Sequence, residues 1–419
     1  MENKQIKAVR GTTDWYDQEM ILFDQIANKM IELSRLYSYN RVKTPVFEHA
    51  ELFNRNLEHS DIVKKELYQF KDLSDRWLAL RPEGTASVMR LVAEHKLLDK
   101  KPLPLRMFYL EPMFRYERPQ KGRMREFHQY GVELVGELDL VDYVQVILLA
   151  KTILKTFNLN TVLNLNWLGN FASRQKWVDA LNQYFNQHID QLTELSKSRL
   201  NSYGVLRILD DKIEAQKDFV KNAPKIDEFI SQEEKQQFQT FLSYLDELNI
   251  DYQINKQLVR GLDYYSRIVF EFILEDNQKS QSTVLAGGCY EDLVTELTNK
   301  NYQAIGFALS IERFIAYLDE TTKNNLLNNY IKPTYLVINL VDQKIINTLK
   351  LIEALRQKNY NVVFNNNIKK LDKAIKYANR SEYSHLIILG NSEWDNNTIT
   401  IKDLNKQTQQ TIKWEEFIK

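Results

Sequence analysis

FRYERPQKGRMREFHQYGVELVG, residues 114–136, reads as the end of one β-strand, a basic loop and a second strand. Phe108 to Glu117 is aromatic and ends in charge; Glu126 to Val135 is a second extended run closed by Gly136. The loop between them, Arg118 to Arg125, holds Pro119 and Gly122, which work against a helix, and the cations Arg118, Lys121, Arg123 and Arg125. Strand side chains alternate between faces, so Phe127, Gln129, Gly131 and Glu133 share one face, and Arg115 and Glu117 share another on the neighbouring strand. A glycine between two polar residues predicts room for a ligand against the backbone. A sheet face presenting Arg, Gln and Glu beside a cationic loop suits a small zwitterion next to a polyphosphate. A solvated hairpin tip would explain the loop alone; the polar residues on the second strand favour a site.

The chain has 419 residues, enough for two or three domains. Its charge is balanced, 56 basic against 56 acidic residues, so a nucleic-acid partner must be met by local patches rather than a global field. The single cysteine, Cys289, excludes an internal disulfide and a multi-cysteine zinc site and fits a reducing cytosol. The opening residues MENKQIKAVRG carry no apolar core, so no secretory leader is expected, and no apolar run approaches the ~20 residues of a membrane span.

Working outward from the hairpin, Phe23, Ile26, Ala27, Met30 and Ile31 keep helical spacing and predict a helix to about Tyr37. Asn40 to Glu48 reads as a strand which Pro45 confines to an edge. Leu67–Asp72 and Trp77–Arg81 predict a hairpin running into Arg81-Pro82-Glu83-Gly84-Thr85-Ala86, where Thr85 is placed to cap a helix from Ala86 to about Leu98. A helix over Asp139–Phe157 and a strand over Thr161–Leu168 follow, then a polar helical stretch from about 170 to 250, read as an insertion. In Leu258-Val-Arg-Gly-Leu-Asp-Tyr-Tyr265, an extended backbone would put Arg260 and Tyr264 on one face. Ala286-Gly-Gly-Cys-Tyr-Glu291 has a Gly pair that permits close backbone approach to a ligand, and a cysteine best read as a small buried hydrophobe. Ile305–Arg313 reads as strand into helix. Thr321–Lys332 reads as a polar linker. Beyond Pro333, apolar runs at Tyr335–Leu340, Val362–Asn365 and Leu386–Leu389 alternate with helical patterns at 343–358 and 368–379, which argues a small α/β domain with parallel strands.

These motifs carry a resemblance. FRYERPQKGRMREFHQ resembles motif 2 of the class II aminoacyl-tRNA synthetases in the form used by histidyl-tRNA synthetases; the early helix and Pro45 strand resemble motif 1, and the 305–313 segment resembles motif 3. RPEGT (81–85) and LVRGLDYY (258–265) match histidine-specific signatures letter for letter. AGGCYE resembles AGGRYD, with Cys289 for Arg and Asp292 where Gly is usual; Arg267 and Ser310 also stand where the family tends to have Gly. Ser202–Val205 replaces the Asn-Pro that usually precedes a segment like Leu206–Asp210, and the family's Gln near Ala374 is missing.

The resemblance implies an α/β protein of subclass IIa: an α+β catalytic domain over 1–325 with an antiparallel sheet flanked by helices, interrupted by the helical insertion at about 170–250, and an anticodon-binding α/β domain over 333–419. It implies activation of L-histidine by ATP to histidyl-adenylate, then transfer to the 3′ end of tRNA(His), in a cytoplasmic homodimer without membrane contact. Arg260 and Arg115 are the implied catalytic residues. Glu83, Thr85, Arg115, Gln129, Glu133, Arg260, Tyr264, Tyr265 and Tyr290 are implied to bind histidine, Glu83 and Thr85 at its α-ammonium and Glu133 and Tyr264 at its two ring nitrogens. Arg115, Glu117, Arg123 and Arg313 are implied to bind ATP. Mg²⁺ is expected with the nucleotide, with no protein-only metal cage. Two alternatives share such a fold: a silent paralog like the regulatory subunit of ATP phosphoribosyltransferase, which typically lacks the C-terminal domain and breaks the ATP-facing arginines, and an RNA-binding module descended from a synthetase.

Overall fold

The computed structural model describes residues 6–54, 66–119, 122–211, 213–259, 264–275, 283–330, 333–381 and 383–418. Arg260 and the Gly261–Asp263 segment after it, like Gln120 and Lys121 in the basic loop, lie outside the described residues. The chain divides into two compact units at Lys323/Asn324.

The first unit is built on an eight-stranded sheet. Its strands run, edge to edge, Asn40–Arg41, Leu105–Phe114, Glu126–Gly136, Gln303–Ser310, Thr283–Cys289, Ser266–Leu274, Thr161–Trp167 and Tyr252–Ile254. All neighbours pair antiparallel except the two edge strands. The central hairpin is the longest pairing, Leu105 opposite Val135 through Phe114 opposite Glu126. From Gln129 to Gly136 the second strand is buried at every position. One face therefore packs on helices and the other closes over a polar interior. The helix Asp17–Leu36 buries Leu22, Phe23, Ile26, Ala27, Met30 and Leu33, a stripe with helical spacing. The Ser34 hydroxyl on this helix lies 2.6 Å from the Tyr130 hydroxyl of the sheet, so two buried polar groups satisfy each other. Helix Leu140–Thr156 is started by Asp139, whose carboxylate accepts from the Val141 and Asp142 amides.

Three expectations are corrected here. Asn40–Glu48 is not one strand. Asn40–Arg41 joins the large sheet, and Phe47–His49 joins a separate three-stranded sheet with Trp77–Leu80 and Gln69–Lys71. Pro45 sits in the break, where it has no ladder amide to withhold. Thr85 does not cap the next helix. The helix spans Thr85–Glu94, and it is the Glu83 carboxylate that accepts from the Thr85 and Ala86 amides, at 2.6 and 2.9 Å. The 321–332 linker is mostly helix: Glu320–Tyr330 is helical, started by Asp319 accepting from the Thr322 amide at 2.6 Å.

The insertion is a set of short helices packed on helix Phe171–Gln187, with a core that includes Trp177, Leu181, Phe185, Val205 and Ile208; its last helix, Gln232–Glu247, packs on helix Leu140–Thr156. The second unit is a five-stranded sheet in the order Asn361–Phe364, Thr334–Asn339, His385–Leu389, Thr398–Asp403 and Thr408–Lys413. Its first three strands are parallel, joined through helices Ile345–Gln357 and Leu371–Arg380. The last two strands are antiparallel additions that the sequence reading missed.

Candidate active site

A cavity of about 220 Å³ opens over the polar face of the large sheet. Its walls include Glu83, Thr85, Gln129, Tyr264 and Tyr265, together with the charged residues Arg115, Glu117, Arg123 and Arg313. The structure thus gathers these residues, spread over 230 positions of sequence, at one place. Glu133 and Tyr290 lie behind the wall rather than on it. The Glu133 carboxylate accepts from the Thr85 hydroxyl at 2.7 Å and from the Tyr290 hydroxyl at 2.5 Å. Glu133 is 1% exposed, and burial pushes its carboxyl up from an ordinary value near 4.5 to about 8, although both hydroxyl bonds pull the other way. Burial likewise raises Glu83, against the pull of the two helix amides and of Arg115.

Strand register explains the arrangement. Glu111 faces Gln129, Tyr109 faces Gly131 and Met107 faces Glu133 across the central hairpin. The room over Gly131 is not left for a ligand, which corrects the sequence reading. A Cβ there would lie 2.2 Å from the Tyr109 ring, and one at Gly84 would lie 2.3 Å from it. Tyr109, which sequence reasoning missed, fills that space and donates to Gln129 Oε1 at 3.1 Å; the Gly84 amide donates to the same oxygen at 2.9 Å. The Gly287-Gly288 pair is also occupied by protein: the Gly306 carbonyl and Phe270 ring crowd the first, the Ile268 carbonyl and Tyr265 ring the second. Gly306, in turn, makes space for Glu133, whose carboxylate would be 2.2 Å from a Cβ. The signal was there, since glycines opposite buried carboxylates mark close approach, but it needs the register to be read.

The cationic end is held by backbone oxygens. Arg115 Nε donates to the Pro82 carbonyl at 2.8 Å, its guanidinium lies 5.2 Å from the centre of the Phe127 ring, and Glu117 is 3.8 Å away. Arg123 Nε is 3.4 Å from Glu117. Arg313 donates to the Gly122 carbonyl through Nη2 at 2.8 Å and Nε at 3.2 Å; burial lowers its affinity for its proton, yet a guanidinium stays charged. Ser310 starts the helix Ile311–Tyr317, accepting from the Arg313 amide and donating to Glu312 at 2.8 Å. Glu312 also meets the His128 amide and ring Nδ1, at 2.7 and 2.9 Å.

The residues that depart from the family pattern form their own contacts. Arg267 stands at φ 45°, a left-handed conformation that costs a non-glycine residue roughly 1–2 kcal/mol, and its Nε reaches Glu291 at 2.8 Å. Asp292 pairs with Arg174. Cys289 is fully buried, and burial pushes its thiol far up, so it is an inert core atom.

The chain matches the sequence profile of the histidyl-tRNA synthetases over residues 11–314 and that of the anticodon-binding domain over residues 335–419. The histidine–tRNA ligase of Mycoplasmoides gallisepticum is 67% identical over 419 residues, 100% of both chains. That of Ureaplasma parvum is 45% identical over 415 residues, 97% of both. The crystal structure of apo S. aureus histidyl-tRNA synthetase superposes with a TM-score of 0.82 at 30% identity, covering 99% of each chain. An ATP phosphoribosyltransferase regulatory subunit/histidyl-tRNA synthetase from Bacillus halodurans, at 21% identity and a TM-score of 0.65, shares the fold. The architecture is therefore that of a class II aminoacyl-tRNA synthetase, an antiparallel sheet flanked by helices with a C-terminal anticodon-binding domain. Within that class the chain belongs to the histidyl-tRNA synthetase family.

Proposed function

We propose that the chain is an ATP-dependent histidine–tRNA ligase. It activates L-histidine to histidyl-adenylate, releasing pyrophosphate, and passes the histidyl group to the 3′ end of tRNA(His). The observation that carries this reading is one cavity lined both by the buried Glu83 carboxylate, with Glu133 just behind its wall, and by Arg115, Arg123 and Arg313.

In this reading Glu83, Thr85 and Gln129 receive the α-ammonium group. Glu133, with Tyr264, Tyr265 and Tyr290 around it, reads the imidazole. A site built around paired hydrogen bonds rejects analogues lacking them by roughly 10⁴-fold. Arg115 faces the reacting carboxylate and the α-phosphate. Arg123 and Arg313 hold the outer phosphates, and Glu117 sets the two loop-side guanidinium groups. The adenylation step needs alignment of the attacking carboxylate and neutralised phosphate charge rather than a strong base. Arg260, outside the described residues, takes its catalytic assignment from the LVRGLDYY motif.

Among the described residues no group of three or more His, Cys, Asp or Glu gathers to hold a metal. Mg²⁺ would arrive on the nucleotide, where Glu117 and Glu312 on the cavity wall fit as oxygen donors. When bound it would neutralise phosphate charge; the arginines above do the same from the protein side.

We also place the protein in the cytoplasm as a homodimer. The three-stranded sheet leaves Phe47, Phe70 and Trp77 between 42% and 54% exposed, an apolar face suited to a second copy. No described helix is long and apolar enough to cross a membrane.

The decisive experiment is ATP–pyrophosphate exchange with each of the twenty amino acids and no tRNA, followed by aminoacylation of tRNA(His). Exchange with histidine alone, and charging of that tRNA, is the expected result. Folded protein that binds histidine but gives no exchange would overturn the activity.

A further inference from the structure

Arg174 lies in the first turn of Phe171–Gln187, the opening helix of the insertion, and its side chain is 2% exposed. A buried arginine is expensive unless its donors are used. Its guanidinium reaches out of its own helix in two directions. Nη1 donates to the carbonyl oxygen of Tyr265, and Nη2 donates to the carboxylate of Asp292. These partners are 91 and 118 residues away in sequence. Asp292 belongs to the first turn of Glu291–Thr298, directly after Tyr290.

One planar fork therefore ties the segment that carries Tyr264 and Tyr265, on the cavity wall, to the one that follows Tyr290, just behind it. The Tyr265 ring lies 4.9 Å from that of Tyr264 and packs over Gly288, where a Cβ would be 2.8 Å from it. Tyr264 and Tyr290 are 6.1 Å apart, and Tyr290 holds Glu133. Arg267 grips Glu291, the other acidic residue of the same turn. Packing alone would be met by an apolar side chain here; a cation aimed at both segments fixes their separation.

We propose that Arg174 is a positioning residue for the amino-acid half of the cavity, through which the helical insertion sets the tyrosine wall. The proposal rests on the reading of this cavity as the histidine site. Arg174 touches no reacting group, so its loss acts through the tyrosines. A misplacement of about 1 Å in such a wall costs on the order of 100-fold.

The test is the histidine and ATP dependence of pyrophosphate exchange, without tRNA, on the full chain. Arg174→Met is expected to raise the histidine KM about tenfold or more, with the ATP KM within about twofold of wild type. Arg174→Lys keeps a charge for Asp292 but cannot fork, and should fall between. Asp292→Asn changes a residue already one-third exposed and should keep its fold; it is expected to raise the histidine KM in the same direction. The double variant Arg174→Met/Asp292→Asn should be no worse than Arg174→Met, because both remove one coupling. A histidine KM within twofold of wild type in Arg174→Met overturns the proposal, as does an equal rise in the histidine and ATP KM values. If Arg174→Met does not fold, an unchanged histidine KM in Asp292→Asn overturns it instead. Glu133→Gln, measured alongside, separates the two readings: a histidine KM that moves there and not in Arg174→Met refutes the clamp and leaves the pocket standing.

Discussion

Glu133→Gln should weaken histidine binding and, in the same molecule, change how stability depends on pH. Glu133 is buried, with Thr85 and Tyr290 hydroxyls at 2.7 and 2.5 Å and a carboxyl raised to about 8. In the unfolded chain the same carboxyl sits near 4.5. The folded state therefore holds the proton more tightly. The stability this contributes is fully present below pH ~4.5 and is lost as pH rises through ~8. A displacement of that size is worth on the order of 5 kcal/mol from end to end, of which roughly 2–3 kcal/mol falls between pH 6 and pH 9. Glutamine has the same shape, can meet both hydroxyls and has no proton to lose. The variant should thus gain roughly 2–3 kcal/mol relative to wild type between pH 6 and 9, read by urea unfolding. Histidine should fare worse. Above pH ~8, where Glu133 is ionised, removing a charged acceptor for a ring N–H costs about 1.5–3 kcal/mol, a rise of roughly 10- to 100-fold in the histidine KM of pyrophosphate exchange measured at pH 9, with the ATP KM nearly unchanged. A histidine KM within twofold of wild type would remove Glu133 from the pocket. A stability gap that stays constant from pH 6 to 9 would show that Glu133 does not titrate as its burial requires.

Arg81 is fully buried, donating to the Thr44 and Pro112 carbonyls at 2.8 and 2.9 Å and paired with Glu111 at 3.1 Å. Arg81→Met should cost about 3–5 kcal/mol in urea unfolding, because Glu111 is left buried without its partner. Glu83→Gln should lower stability by about 1 kcal/mol through weaker capping of helix Thr85–Glu94, and should raise the histidine KM while sparing that of ATP. Ser310→Gly removes a helix cap at a cost of a few tenths of a kcal/mol, and histidine-dependent exchange should stay within about twofold of wild type; a tenfold loss would give the Ser310 hydroxyl a part in the reaction.

The central hairpin was legible because its period-two pattern and its loop signals agree, and the strand from Glu126 falls where the alternation puts it. The side-chain partners were not. That Tyr109 fills the space over Gly131, and that Gly306 makes room for Glu133, depends on which residue lies opposite which across three strands. Glu83 was read as a ligand group and Thr85 as the cap, whereas the carboxylate also holds the helix amides; a carboxylate two residues ahead competes for amides that a threonine would otherwise take. The last two strands escaped for a different reason. Thr408–Lys413 is almost wholly exposed and has no apolar run, although the Thr-Ile-Thr-Ile alternation from Thr398 was a usable signal. The helix Glu320–Tyr330 was hidden by its Asn and Thr content, with Asp319 at its start as the missed clue.

The polar groups of the cavity are held in two different ways. On the side we assign to the amino acid, the polar groups of three residues are tied to other fixed groups: Gln129 to the Gly84 amide and Tyr109, Glu83 to two helix amides, Glu133 to Thr85 and Tyr290. Such a network is held by sheet register and a helix start, so in the proposed reading an entering histidine would meet groups already aimed. On the side we assign to the phosphates, Arg115 and Arg313 rest on the Pro82 and Gly122 carbonyls, neutral acceptors that bind a guanidinium less strongly than a phosphate does. Exchanging a carbonyl for a doubly charged phosphate group is favourable, so nucleotide binding should draw Arg313 off Gly122 and change the basic loop that this residue belongs to. Histidine should then leave the loop as it is, and ATP should alter it. Limited proteolysis within Arg118–Arg125 checks this: the cleavage rate should change with ATP and not with histidine, and equal effects of the two ligands would refute the division of the cavity.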